Sequence, residues 1–304
     1  MAFKFPIPPG YLHEPIWMGN GFQIGSETIP VLQYTACDLG WNSDLTTFHE
    51  AEADQGNHYI DRASRLHACW ELKKKLSASS VVLEIGSSSG YLLRDIKKGF
   101  PEIFLIGSDC IPESLEKIAK YHPDIPLIQF DLVNCPLPDN SVDVIIALNV
   151  LEHIEDDITA LQQIHRILKP GGNVIIEVPA NPELYDFYDK QLKHFRRYSL
   201  SELSDKAEKA GFTLGPASHL GFYVYPVFWF IKQYSKKKLI QTDMEAQASV
   251  KHLIHFGGPI MNKILYFMMG IELHLGKVIQ YPWGIRCLIT LRKTEKRVEV
   301  KWLQ

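Results

Sequence analysis

His153 and His194 are the side chains best suited to moving a proton near neutral pH, because imidazole titrates there. His153 ends the run Asn149-Val150-Leu151-Glu152-His153, and His194 opens His194-Phe195-Arg196-Arg197-Tyr198. If the acceptor of a transferred group is a hydroxyl, either histidine could serve as its base. A carboxylate acceptor would need no base, only a cation such as Arg196 or Arg197 to position it. His153 reads equally well as a structural histidine closing a strand. A second set of residues could hold a ligand rather than react with it. In Glu84-Ile85-Gly86-Ser87-Ser88-Ser89-Gly90 the two glycines let the backbone turn sharply and approach a ligand closely. The helix predicted to follow would offer unpaired N–H groups above that turn. Asp109 stands about 20 residues further on, where a carboxylate can accept hydrogen bonds from both hydroxyls of a ribose. Capping the next helix is a compatible second role for it.

These residues need a scaffold that brings them to one edge, and the hydrophobic pattern supplies it. Val81 to Ile85 is an apolar run of the kind buried on both faces of a parallel sheet. A helix over Tyr91 to Lys98 follows, stopped by Gly99 with Pro101 beyond. Strands are predicted at 103–107, 127–130, 144–148 and 173–178, with helices at 112–121 and from Asp156 to Leu168 between them. The alternation argues for a doubly wound parallel sheet, in which ligands bind outside the carboxyl ends of the strands. A helix over 61–76 leads into the first strand. Ser199 and Glu202 have capping-box spacing, with Tyr198 and Leu203 as a hydrophobic staple. Strands at 212–220 and 284–292 complete the pattern. Between them Phe256, Ile260, Ile264, Phe267 and Ile271 fall at helical spacing, a stripe that more often packs as core than binds a ligand.

Glu84-x-Gly86-x-Ser88-x-Gly90 resembles the first motif of the class I S-adenosylmethionine-dependent methyltransferases, with Ser88 in place of the middle glycine. The nicotinamide dinucleotide fingerprint wants glycines two and five residues after the first, and Ser88 and Tyr91 fail it. The resemblance implies a Rossmann-like, mostly parallel seven-stranded sheet and S-adenosylmethionine as cofactor. It places Glu84, Gly86, Ser87, Ser88, Gly90, Asp109 and Cys110 around that cofactor, with the Ser88 hydroxyl able to reach its carboxylate. Asp131 and the backbone of Leu132 take the adenine, and Asn149 and Val150 line the methionine half. His194 to Tyr198 resembles a segment of a small-molecule branch of the family. The implied activity is methyl transfer to a small molecule, at oxygen in our reading, with His153 and His194 as catalytic candidates. Aligning a nucleophile with the methyl group and excluding water can contribute roughly 7 to 11 kcal/mol. Tyr59 and Arg62, by the same resemblance, would close over the cofactor. A fold-retaining binding module without catalysis is the competing expectation.

Composition narrows the field. The chain has 304 residues, 46% of them hydrophobic, and a net charge of −3 with both signs spread along it, so nothing in it demands a nucleic acid. Its five cysteines include no CxxC pair, which fits reduced thiols in a cytoplasm and no structural zinc. His49, His58 and His67 recur every nine residues, a spacing that puts successive members on opposite helix faces, so no metal site is expected. The proline-broken N-terminus leaves no room for a secretory h-region. The most apolar stretch, 220–231, falls short of the about 20 residues of a membrane span. The expected organisation is an arm or lid at 1–57, the core at 58–221, a helical insertion at 222–280 that could cap the substrate pocket, and the last strand with a charged tail at 281–304. The oligomeric state is left open.

Overall fold

A computed structural model describes residues 3–35, 56–77, 79–237 and 258–294. His49, Phe256 and most of the charged tail lie outside the described residues. Within them the chain builds β1 (Ile16–Trp17), β2 (Phe22–Ile24), β3 (Glu27–Ile29), β4 (Val31–Gln33), α1 (Tyr59–Lys73), β5 (Val81–Ile85), α2 (Tyr91–Gly99) and β6 (Phe104–Asp109). It continues through α3 (Pro112–Tyr121), β7 (Leu127–Gln129), β8 (Val142–Leu148), α4 (Asp157–Ile167), β9 (Leu168–Pro179), α5 (Phe187–Gln191), α6 (Leu200–Lys209) and β10 (Thr213–Leu220). The last elements are α7 (Tyr225–Lys237), α8 (Gly258–Leu275) and β11 (Arg286–Arg292).

The main sheet runs β10-β11-β9-β8-β5-β6-β7-β4, with β11 alone reversed. It holds eight strands rather than the expected seven, because the N-terminal arm contributes β4, which pairs in parallel with β7 at Val31↔Leu127. A strand of three residues directly after Pro30 is too short to show a period. The rest of the arm forms the antiparallel β1-β2-β3 meander. Its rings pack on one another, Phe5 meeting Phe22 at 4.9 Å between centroids, and on the sheet, Phe3 meeting Phe104 of β6 at 6.0 Å.

Successive strand residues alternate between two cores, as a pleated strand requires. Leu83, Ile106, Ile145 and Val174 face α4 and α6, while Val82, Leu105, Val144 and Ile175 face α1, α2 and α3. Half of the expected capping box forms: the Ser199 hydroxyl accepts from the Glu202 N–H at 3.1 Å, while the Glu202 carboxylate pairs with Lys206 at 3.0 Å; Tyr198 and Leu203 are fully buried in one core. Tyr198 also donates its hydroxyl to Asp157 Oδ2 at 2.7 Å and to the Leu151 carbonyl at 3.2 Å, tying α4 to the end of β8. Tyr198→Phe is expected to lose about 1–2 kcal/mol of stability, read from urea unfolding, since the ring still fits and only the hydroxyl's bonds go.

The stripe on α8 corrects an expectation. Ile260, Ile264, Phe267 and Ile271 are 75%, 48%, 69% and 45% exposed, so this face points outward and is not core. Polar groups set the rotation of the helix. The fully buried Glu272 carboxylate accepts the backbone N–H groups of Gly221, Phe222 and Tyr223 at 2.6–3.2 Å. Asn262 accepts the Tyr59 N–H at 2.8 Å, and Arg62 lies over the Tyr266 ring at 3.7 Å. Tyr59 and Arg62 therefore dock α8 onto α1. No helix among the described residues is long and apolar enough to cross a membrane.

Candidate active site

The ladder register assembles the site. Ile85 pairs with Ser108 and with Ala147, and Asp109 pairs with Gln129, so the segments after β5, β6, β7 and β8 leave one edge of the sheet side by side. Glu84, Asp109, Asp131 and Asn149 therefore share that edge, as the alternation predicts.

The turn after β5 is held from inside. The N–H groups of Gly86 and Ser87 both donate to the Ser108 carbonyl at 2.9 Å, and the Ser87 hydroxyl accepts from the Ser108 N–H at 3.1 Å. Gly86 has φ +77°, and a Cβ built there would lie 2.6 Å from Val150 Cγ2, so the glycine turn and the segment after β8 are in contact. Gly90, at φ +74°, caps α2. Ser88 sits at φ +44°, in the left-handed region that the glycine of the family motif would adopt without cost. Its N–H donates to Asp109 Oδ2 at 2.8 Å. Asp109 Oδ1 accepts from the Ile111 N–H at 3.0 Å, so this carboxylate locks the turn to the end of β6. The Cys110 carbonyl accepts from Gln129 Nε2 at 3.0 Å.

Two buried acids face this cradle, and neither forms an ion pair among the described residues. Burial pushes Glu84 well above the ordinary carboxylate range, against the pull of a 3.3 Å bond from the Ser87 hydroxyl. Burial also raises Asp109, opposed by the backbone N–H groups it accepts. A ligand bringing an ammonium and hydroxyl donors would relieve both. Asp131 caps the short 3₁₀ turn Leu132–Asn134, its Oδ1 accepting from the Val133 N–H at 3.1 Å, and Leu132 is buried. Asn149, at φ +54°, is pinned to β9: its N–H donates to the Glu177 carbonyl at 2.8 Å and its Nδ2 to Glu177 Oε1 at 3.4 Å.

Beyond Val150 the chain turns through the 3₁₀ helix Leu151–His153, and there His153 meets His194 with ring centroids 4.7 Å apart. The structure brings the two catalytic candidates together. The Phe195 N–H donates to the Glu152 carbonyl at 2.8 Å, which fastens the two segments. His194 Nδ1 lies 3.0 Å from Oδ1 of the fully buried Asp189. Burial lowers the His194 pKa, with Asp189 pulling it up less strongly. Burial alone would raise Asp189; the His194 hydrogen bond and the Arg197 charge overturn that and hold it well below the usual range.

The two arginines expected at the substrate have internal partners. Arg197 Nε donates to both Asp189 oxygens at 2.8 and 2.9 Å and is 5% exposed. Arg196 pairs with Asp157 at 2.7 Å and donates to the Glu155 carbonyl at 2.7 Å. Both brace the loop that carries His194.

A methyltransferase-domain family profile matches residues 55–215, more than half of the chain. This chain belongs to the class I S-adenosylmethionine-dependent methyltransferases. A probable S-adenosylmethionine-dependent methyltransferase of Mycolicibacterium smegmatis is 30% identical over 136 residues, 43% of this chain and 51% of that one. The ubiquinone/menaquinone biosynthesis C-methyltransferase of Bdellovibrio bacteriovorus is 27% identical over 158 residues, 47% of this chain and 66% of that one. The methyltransferase thus spans about half to two thirds of the length of these relatives. A crystal structure from Galdieria sulphuraria shares the fold at TM-score 0.56 and 16% identity, covering 83% of this chain and 99% of that one.

Three residues that contact the candidate site residues carry no local signal in the sequence. Asp189 lies inside a loop whose pattern marks only its ends, Glu152 stands among motif residues without drawing notice, and Glu177 is one polar residue in an apolar strand.

Proposed function

We propose that this methyltransferase transfers the methyl group of S-adenosylmethionine to an oxygen of a small-molecule acceptor, activated by His153 and His194. The cofactor, when bound, supplies a methyl group on a positively charged sulfur. Its holding set is Glu84, Gly86, Ser87, Ser88, Gly90, Asp109, Cys110, Asp131, Leu132, Asn149 and Val150. The cradle fits it on the chain's own features: a turn with room only for hydrogen at Gly86, and two buried acids that form no ion pair among the described residues. The observation that carries the acceptor reading is the Asp189-backed His194 against His153, one short turn beyond Val150. Asp189 orients the imidazole, and Arg197 and the buried Lys232, 3.5 Å from Asp189, orient Asp189. Such imidazoles are suited to an acceptor that must shed a proton. The net charge of −3 supports a small molecule rather than a nucleic acid, and Cys69, Cys110, Cys135 and Cys287, which form no disulfide among the described residues, support a reducing, cytoplasmic setting.

The test uses S-adenosylmethionine labelled with ¹³C at the methyl group and a fractionated metabolite extract. New O–CH₃ carbon resonances support the reading, C–CH₃ resonances would replace oxygen by carbon, and no labelled product would overturn catalysis. Asp109→Ala should weaken S-adenosylhomocysteine binding in calorimetry by roughly 10- to 100-fold, from the loss of one or two charge-assisted hydrogen bonds. Unchanged affinity would remove Asp109 from the holding set.

A further inference from the structure

We propose that Glu152, His153 and His194 together bind a divalent transition-metal cation at the acceptor end of the site. The sequence leads to no metal being expected, because the cysteines include no CxxC pair and the nine-residue spacing of His49, His58 and His67 puts successive members on opposite helix faces. The fold supplies what spacing does not: one ligand-competent atom from each of the three lies within 4.8 Å of the other two. Around a four-coordinate ion with bonds of about 2.1 Å, neighbouring ligand atoms stand about 3.4 Å apart. Closing the cluster onto an ion therefore requires only small side-chain movements. The backbone bond from Phe195 N–H to the Glu152 carbonyl already holds the two segments together.

Glu152 is the second, independent observation. It is fully buried, and neither carboxylate oxygen has a hydrogen-bond partner among the described residues. A carboxylate in that position is stabilised by a cation brought up to it. Neither nearby guanidinium fills this role by contact: Arg286 is engaged by Glu177, Asp61 and Ser64, and Arg197 Nε by Asp189. The outer contacts point the same way. With His194 Nδ1 engaged by Asp189 at 3.0 Å, Nε2 is the atom left to ligate, and a carboxylate behind a ligating imidazole fixes its tautomer and raises its basicity. Two imidazoles and one carboxylate suit zinc, iron(II) or cobalt(II) rather than magnesium or calcium, which favour all-oxygen shells. Three protein ligands leave a position open. The proposal deepens the acceptor reading of this site and rests on it for function: with the ion bound, His153 and His194 would activate the acceptor as ligands rather than as bases, an acceptor hydroxyl in the open position binding the ion through oxygen and releasing its proton to solvent more readily.

The experiment is cobalt(II) titration of the full chain, stripped with a chelator and dialysed, with zinc(II) as competitor and no acceptor present. The expected result is an intense visible absorption of four- or five-coordinate cobalt, bleached by zinc. Glu152→Gln and, as a second variant on a different segment, His194→Asn should each weaken zinc binding by roughly 100-fold or more, while S-adenosylhomocysteine binding reports that they fold. A spectrum that stays that of the hydrated ion, or zinc affinity unchanged in both variants, would overturn the metal site. Because the titration needs no acceptor, metal binding without methyl transfer to oxygen would count against the acceptor reading alone. Methyl transfer by a chain that shows no cobalt spectrum would count against the metal alone.

Discussion

Replacing Gly86 with alanine should eliminate S-adenosylhomocysteine binding over the range calorimetry can reach, a loss of more than roughly 100-fold, while the sheet still folds. Two costs combine at this position. At φ +77° an L-residue is in the left-handed region, at about 1–2 kcal/mol. The larger cost is steric, because the new methyl group would sit 2.6 Å from Val150 Cγ2. Val150 cannot simply retreat. It joins Asn149, pinned to Glu177 through its backbone and side chain, to the 3₁₀ helix carrying Glu152 and His153. Pushing it displaces the methionine side of the cradle and the histidine cluster at once. The double variant Gly86→Ala with Val150→Ala separates the two costs, since it removes the collision and keeps the backbone strain. It should recover most of the loss and retain a deficit of roughly 5- to 30-fold, the equivalent of the left-handed penalty. Affinity near that of the unaltered chain in Gly86→Ala would mean that the turn does not hold the cofactor.

The parts of the molecule legible in the sequence are those whose physics is local. Buried parallel strands must be apolar along their length, so β5, β6, β8 and β9 announce themselves, and the Ser199 cap is written in residues three apart. Ser88 was legible as a departure from the family motif, and its φ of +44° shows what the departure costs: a side chain in a conformation made for glycine. Position 86, where hydrogen alone fits, kept its glycine. What pattern could not give is orientation and long-range pairing. A helical stripe says that α8 has two faces but not which turns inward; that was decided by Glu272, whose partners lie 49 to 51 residues earlier. Arg196 and Arg197 looked like free cations because their carboxylate partners, Asp157 and Asp189, carry no mark of the pairing. The Glu152, His153 and His194 cluster joins two segments some forty residues apart, and no window on the sequence contains both.

Arg286 is the most consequential of these unmarked residues, and Arg286→Met is expected to lower stability by about 3–5 kcal/mol. The guanidinium enters from β11 and joins three elements. Its Nη1 donates to Glu177 Oε1 on β9 at 2.6 Å and to the Ser64 hydroxyl on α1 at 2.8 Å, and its Nη2 to Asp61 Oδ1 on α1 at 2.6 Å. Burial works against its charge, and the Glu177 and Asp61 carboxylates more than offset that, holding its pKa above the ordinary arginine value. Methionine fills similar space but leaves Glu177, which is fully buried, with an uncompensated charge and only the 3.4 Å bond from Asn149 Nδ2 on its side chain. The midpoint of thermal unfolding should fall by on the order of 10 °C. S-adenosylhomocysteine affinity should fall as well, because Glu177 holds Asn149 at its left-handed φ of +54° beside the cradle. Adding Glu177→Gln separates charge from packing: an amide tolerates the apolar neighbour, so the double variant should regain most of the stability while Asn149 keeps a hydrogen-bond partner. If Arg286→Met alone unfolds within about 0.5 kcal/mol of the unaltered chain, the network is not what holds α1 and β9 together at the floor of this site, and the link from Arg286 through Glu177 to Asn149 fails with it.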